Sequence, residues 1–173
     1  MRIPPLPDKR IALRNFAYAI ATALVIILVD QGSKRYVVDT LDLRNVGQIN
    51  GVLPILNFRM AWNTGVNFGL LSAGSDVGRI ILITFTSVLA TVLAISSAWC
   101  TRPLSAIGLG VAAGGAVGNL IDRFTWGAVA DFLNVSGFGI ENPWSFNVAD
   151  VAIFAGLGLL LWPGAKKTEA AKS

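Results

Sequence analysis

Gly114-Gly115-Ala116-Val117-Gly118-Asn119-Leu120-Ile121-Asp122-Arg123 closes a run of 19 uncharged residues, 103–121, that opens after Arg102. A hydrocarbon core about 30 Å thick takes roughly 20 residues of helix. This run is therefore long enough to span a membrane. Three further runs stand beside it. Arg79 and Arg102 bracket 22 uncharged residues, Arg14 and Asp30 bracket 15, and Asp150 and Lys166 bracket 15. The last two reach spanning length if Asp30 and Asp150 stand near an interface or face a polar interior. The pattern predicts four transmembrane helices, at about 15–35, 79–100, 103–123 and 145–163.

Composition agrees. Of 173 residues, 54% are hydrophobic and 14% charged, and the mean hydropathy is +0.63. A soluble domain carries about 25% charged residues, so neither a soluble enzyme nor a disordered chain fits. Histidine is absent. That excludes Ser-His and Cys-His nucleophilic pairs and zinc sites built on imidazole. The single Cys100 excludes an internal disulfide and any CxxC motif. The net charge of +4 is scattered between apolar runs and does not mark a nucleic-acid surface.

The first apolar run follows a basic segment (Arg2, Lys9, Arg10, Arg14), as a signal peptide would. No small-x-small cleavage site follows, and the run passes into Asp30-Gln31-Gly32-Ser33-Lys34. It reads as an uncleaved helix. With four helices both termini share one side, which holds eight Lys and Arg against six on the other. The termini are expected to be cytoplasmic. Eight of the ten acidic residues fall on the far side, which places the polar chemistry at the periplasmic end.

Two segments lie on that outer side. Residues 36–78 contain β-like stretches (Val46–Leu56, Asn57–Trp62), and Asn50-Gly51 between apolar runs is a hairpin signal. A small surface sheet is expected, with Trp62, Phe68 and Leu70-Leu71 dipping into the interface. Residues 124–144, with Gly127, Gly137, Gly139 and Asn142-Pro143, read as an outer loop or lid. The expected fold is an all-α membrane protein of four transmembrane helices with a small outer-side β-sheet and a periplasmic loop. Residues 1–165 form one domain and 166–173 a disordered cytoplasmic tail.

Gly110, Gly114 and Gly118 recur every four residues and form a smooth face against which a neighbouring helix can pack closely. Carboxylates in or beside membrane segments are costly and mark functional sites. Asp30, Asp122, Asp131 and Asp150 qualify. Asp30 can pair with Lys34 one turn later, and Asp122 with the adjacent Arg123. If Asp131 and Asp150 meet, one of them holds a proton, and the pair can activate a water against an amide carbonyl. Spacing alone leaves proton relays and ion sites open. A proton-coupled transporter would place its carboxylates at mid-membrane and often shows inverted repeats; here they gather at helix ends. A Ser33-Lys34 dyad has poor geometry, because adjacent helical residues point about 100° apart.

Five blocks carry a more specific signal. They are Val29-Asp30-Gln31-Gly32-Ser33-Lys34, Trp62-Asn63-Thr64-Gly65-Val66-Asn67-Phe68, the stretch 114–123 quoted above, Val129-Ala130-Asp131-Phe132 and Phe146-Asn147-Val148-Ala149-Asp150. In this order they resemble the signature blocks of the lipoprotein signal peptidases (signal peptidase II). The resemblance implies a bacterial inner-membrane aspartic endopeptidase. Such an enzyme removes the signal peptide from diacylglyceryl-modified prolipoproteins, cutting before the lipidated cysteine, with no metal or organic cofactor. It implies Asp131 and Asp150 as the catalytic pair. Asn63, Gly65, Asn119, Asp122, Arg123 and Asn147 would line or brace the site, and Asp30 would support the fold. The implied partners are prolipoproteins bearing diacylglyceryl-cysteine and the lipid bilayer, with no nucleic acid, and a monomer is expected. Val66-Asn67 departs from the small residues many members carry there and bears on substrate preference.

Overall fold

The computed structural model describes residues 7–65 and 76–162. Helix α1 covers Lys9–Arg35 and continues through a π-helical turn, Tyr36–Thr40. A short helix α2, Leu43–Val46, leads into strands β1 (Gln48–Leu53) and β2 (Leu56–Asn63). Helix α3 (Asp76–Ser96) ends in a 3₁₀ turn, Ser97–Trp99. Helix α4 (Pro103–Thr125), strand β3 (Val129–Val135) and helix α5 (Val148–Leu161) complete the described chain.

Three of these helical segments are long and apolar enough to cross a membrane: Lys9–Thr40, Val77–Trp99 and Pro103–Thr125. Helix α5 is also apolar but has 14 residues, or about 21 Å at 1.5 Å per residue. The observed fold is thus mostly helical, with at least three spanning-length helices and a three-stranded sheet. The expected tail 166–173, and Val66, Asn67, Phe68, Leu70 and Leu71, lie outside the described residues.

The helices are apolar on the outside. Leu28 is 72%, Phe85 65% and Phe154 77% exposed, as suits a surface solvated by lipid tails rather than water. The interior between helices is made of small residues instead. Helix α4 is the centre of the bundle and uses two glycine faces. A Cβ on Gly114 would lie 2.7 Å from the Ala23 carbonyl oxygen of α1. On the other face, a Cβ on Gly108 would lie 2.8 Å from the Gly156 carbonyl oxygen of α5. Both helices therefore sit against the α4 backbone, where dispersion and close packing replace the hydrophobic effect. The stripe expected from spacing is present, and a second one faces α5.

The sheet order is β1-β2-β3, antiparallel throughout. The hairpin differs from expectation. Asn50-Gly51 is not its turn; the chain reverses at Pro54-Ile55, between β1 and β2. Asn50-Gly51 falls where the register shifts between Ile49 and Leu53. Gly51 has φ +70°, and its N–H donates to Asn57 Oδ1 at 2.9 Å. A glycine in this conformation serves a bulge as well as a turn. The outer segment 124–144 also differs, because it is not a loop throughout. Residues 129–135 form β3, which pairs with β2 from Asn63↔Val129 to Leu56↔Val135. Val129–Leu133 is buried or nearly so at successive positions, so it shows none of the in-out alternation by which a strand is read.

Val37, Leu43 and Phe132 form a buried core with Ile49, Phe58 and Met60 packed around it. The Phe58 and Phe132 rings meet edge to face at 5.8 Å. This core ties β3 to the π-helical turn after α1, to α2 and to the start of α5.

Candidate active site

Helix α5 begins with a reciprocal cap. Asn147 Oδ1 accepts from the Asp150 N–H at 2.9 Å, and Asp150 Oδ2 accepts from the Asn147 N–H at 3.2 Å. This capping box fixes the Asp150 carboxylate at the first turn of α5. A second acidic residue joins from another helix. Asp30 Oδ1 accepts from the Ala149 N–H at 2.9 Å. Two of the free donors at the head of α5 are thereby satisfied.

Asp131 reaches the same place from β3. Its register partner is Ala61, and Asn63 lies two residues farther along β2, hence on the same face. Asn63 hydrogen-bonds the Asp131 carboxylate, and its Oδ1 accepts from the Gly65 N–H at 3.0 Å. Gly65 has φ +104°, a conformation a side chain would strain.

Two asparagines link the two carboxylates. Asn147 Nδ2 donates to Asp131 Oδ1 at 2.6 Å and to Asn119 Oδ1 at 3.1 Å. Asn119 Nδ2 donates to Asp150 Oδ1 at 2.9 Å. The orientation of the Asn119 amide is determined, since its oxygen also accepts a hydrogen bond from Lys34 Nζ at 3.1 Å. An oxygen that faces two donors leaves its nitrogen to face the carboxylate.

Lys34 was expected only as a partner for Asp30. It holds more than that. Nζ lies 2.9 Å from Asp30 Oδ2 and 2.7 Å from Asp122 Oδ2, with all three side chains fully buried. Together with Asn119 Oδ1, these acceptors use all three ammonium protons. Gln31, also missed by the sequence reading, donates to Asp122 Oδ1 at 2.8 Å and to the Gly118 carbonyl at 3.1 Å. Asp122 Oδ2 accepts in addition from the Ala130 N–H at 3.1 Å, which places the residue next to Asp131. The expected Asp122–Arg123 ion pair is not the organising contact. Lys34 is the cation on Asp122, and Arg123 Nη1 donates to the Asn119 carbonyl at 3.0 Å. Neighbours in a helix diverge, whereas Lys34 on α1 faces α4 across the glycine stripe. The signal that could have found Lys34 is a cation one turn after Asp30 on a membrane helix, where no charge is free.

Asp131 is 4% exposed, and its carboxyl is pushed up from 3.8 to about 6. Burial is the main cause and the nearby Asp150 charge adds to it, while Asn63, Asn147 and Lys34 act in the opposite direction. Asp150 opens onto a cavity of about 490 Å³ lined also by Phe146, Val151, Phe154 and Ala155. The site thus combines a half-open carboxylate beside an apolar cavity, a buried one poised near neutrality, and a rigid amide bridge between them. Such an arrangement can bind a water and exchange a proton with it. Among the described residues no cluster of three or more His, Cys, Asp or Glu is placed to hold a metal ion.

Similarity to known proteins narrows the chemistry. The family model described as signal peptidase (SPase) II matches residues 22–165. A lipoprotein signal peptidase of Nitrobacter hamburgensis is 40% identical over 157 residues, covering 89% of this chain and 95% of the relative. One from Caulobacter vibrioides is 43% identical over 146 residues, covering 84% and 83%. One from Rhodopseudomonas palustris is 38% identical over 157 residues, covering 89% and 95%. Two solved bacterial membrane enzymes share the fold, with TM-scores of 0.66 and 0.69 at 24% and 22% identity. They cover 87% of this chain, and 92% and 94% of their own. The chain belongs to the signal peptidase II family of aspartic peptidases.

Proposed function

We propose that this protein removes the signal peptide from diacylglyceryl-modified prolipoproteins, cutting before the lipidated cysteine with water activated by Asp131 and Asp150. The observation that carries this reading is the Asn119–Asn147 bridge, which ties both carboxylates into one hydrogen-bonded unit. Two neighbouring carboxyls share one proton, because they do not both ionise comfortably. The ionised member takes a proton from water, and the water oxygen bonds to the scissile carbonyl carbon. The protonated member gives its proton to the carbonyl oxygen. As the C–N bond breaks, the newly protonated carboxyl supplies the proton to the leaving cysteine amine, and the hydroxyl proton of the intermediate restores the pair. No cofactor takes part. Asn63, Asn119 and Asn147 hold the carboxylates, Asp122 and Arg123 brace the end of α4, Gly65 shapes the turn after Asn63, and Asp30 anchors α5.

The chain works as a monomer in the inner membrane, crossing it four times with both termini cytoplasmic. Supporting this are the eight-to-six excess of cations on the terminal side and the meeting of the ends of α1 and α4 with the start of α5 at the site. The apolar cavity beside Asp150 suits the apolar part of such a substrate, which can arrive laterally from lipid.

The test is cleavage by the purified protein in water enriched in ¹⁸O, with diacylglyceryl-modified and unmodified prolipoprotein. The expected result is a single cut before the modified cysteine, with one ¹⁸O in the new carboxylate of the signal peptide. Equal cutting of the unmodified chain, or none of either, would refute the reading.

A further inference from the structure

A second cavity, about 690 Å³ in volume, is lined by the sheet and by the segment that follows β3. Its lining is polar: Gln48, Asn57, Arg59, Asn134, Ser136 and Glu141 contribute from all three strands and the segment beyond β3. Register explains the set. Gln48 pairs with Arg59 and Asn57 with Asn134, so directly opposed strand positions present polar groups together. The floor is rigid. Asn134 Nδ2 donates to the Asn142 and Trp144 carbonyls at 2.8 and 2.9 Å. The Asn142 N–H donates to Ser136 Oγ at 2.9 Å, and Ser145 Oγ donates to the Arg59 carbonyl at 2.9 Å.

Residues 142–146 run from this cavity to the apolar one beside Asp150 and form a wall between them. Asn142 lines the polar cavity and Phe146 the apolar one. Between them the Phe146 backbone pairs with Leu133 in both directions, at 3.0 and 2.8 Å. The next residue, Asn147, holds Asp131. A substrate laid across this wall meets an apolar surface on one side of the carboxylate pair and a polar one on the other. From Asp131 to Asn134 is three residues of strand, about 10 Å. An extended chain covers that distance two to four residues past the scissile bond.

We propose that this cavity is a specificity subsite for the polypeptide that follows the lipidated cysteine, in which the exposed Arg59 selects an acidic side chain two to four residues downstream of the cut. The inference rests on the peptidase reading above. Arg59 suits the role because its guanidinium has no ion-pair partner among the described residues, while Glu141, which also lines the cavity, disfavours a second acid. A planar fork of donors matches a carboxylate. The pair is partly exposed, so the preference is modest and salt-sensitive.

The test uses the full-length protein and diacylglyceryl-modified prolipoproteins that differ only in carrying Asp, Ser or Lys at these downstream positions. The wild type is expected to cut the Asp substrate with a kcat/KM roughly three- to tenfold above the Lys one. Arg59→Gln should abolish the preference for Asp, Arg59→Glu should reverse it in favour of Lys, and in both the Ser substrate should change least. Glu141→Gln should raise cleavage of the Asp substrate and lower that of the Lys substrate. A uniform change across the three substrates in both Arg59 variants, or no change in either, overturns the subsite. Failure of the wild type to cut any of the three overturns the peptidase reading instead.

Discussion

Lys34 Nζ lies 2.7 Å from Asp122 Oδ2, with both side chains fully buried and 88 residues apart in the chain. One ammonium therefore locks α1 to α4, while its second carboxylate, Asp30, carries the lock to α5 through the Ala149 N–H. Three helices meet at one charge.

Removing that charge leaves two carboxylates buried without a cation. Breaking such a pair costs about 3–5 kcal/mol, so Lys34→Met should unfold at markedly lower denaturant or temperature in detergent. Adding Asp122→Asn to Lys34→Met should recover part of the loss, since one orphaned charge goes with it. Unchanged thermal unfolding of Lys34→Met would mean that the triad is not a structural element.

The glycine face gives a steric prediction. A Cβ on Gly118 would collide with the Asp30 carboxylate, whereas one on Gly32 meets nothing within 4 Å. Gly118→Ala should destabilise by about 1–3 kcal/mol, as overpacking does. It should also lower turnover, because Asp30 positions the head of α5. Gly32→Ala, in the interior of α1, should stabilise by roughly 0.5–1 kcal/mol through helix propensity. Equal midpoints for the two variants in a thermal melt would contradict this packing.

The amide bridge gives a kinetic prediction. Asn119→Ala removes the donor to Asp150 and the acceptor of both Lys34 and Asn147. Misplacing a reacting group by about 1 Å can cost 10²-fold. We expect kcat to fall by about that factor while KM changes little, in steady-state cleavage of a prolipoprotein. A loss confined to KM would place Asn119 in substrate binding instead.

Asp131 gives a pH prediction. Its carboxyl should titrate at about 6 in ¹³C spectra. Asp150→Asn should lower that midpoint by removing a neighbouring negative charge, and Asn63→Ala should raise it by removing a hydrogen bond to the ionised form. The sign for stability follows. A carboxyl whose native pKa lies above its unfolded value contributes stability that is fully present below about pH 4 and is lost as pH rises through about 6. Asp131→Asn lacks this loss. Its unfolding temperature should gain on the wild type across that window and run parallel above it.

The helices were legible because charge is scarce: three of the four gaps between ionisable residues fall on helices of spanning length, and the fourth on the shorter apolar α5. The candidate site was legible for the same reason, since a carboxylate beside an apolar run has few bland explanations. What stayed hidden depends on contacts between distant segments. Strand β3 is buried on both faces, so Val129–Leu133 carries no period of two. Asn50-Gly51 satisfies a bulge as readily as a turn, and only pairing with β2 decides between them. Lys34 was visible as a neighbour of Asp30, but its second carboxylate lies on another helix. Sequence adjacency pointed to Arg123 for that role, and helix geometry turns Arg123 toward the Asn119 carbonyl.

The central claim is that Asp131 and Asp150 act as one proton-sharing pair on water. The most direct measurement is single-turnover cleavage of a diacylglyceryl-modified prolipoprotein by Asp131→Asn and Asp150→Asn, each checked for a native thermal transition. The account predicts that both variants fold and bind substrate but that neither cuts above background. Wild-type cleavage by a folded Asp131→Asn protein would contradict it.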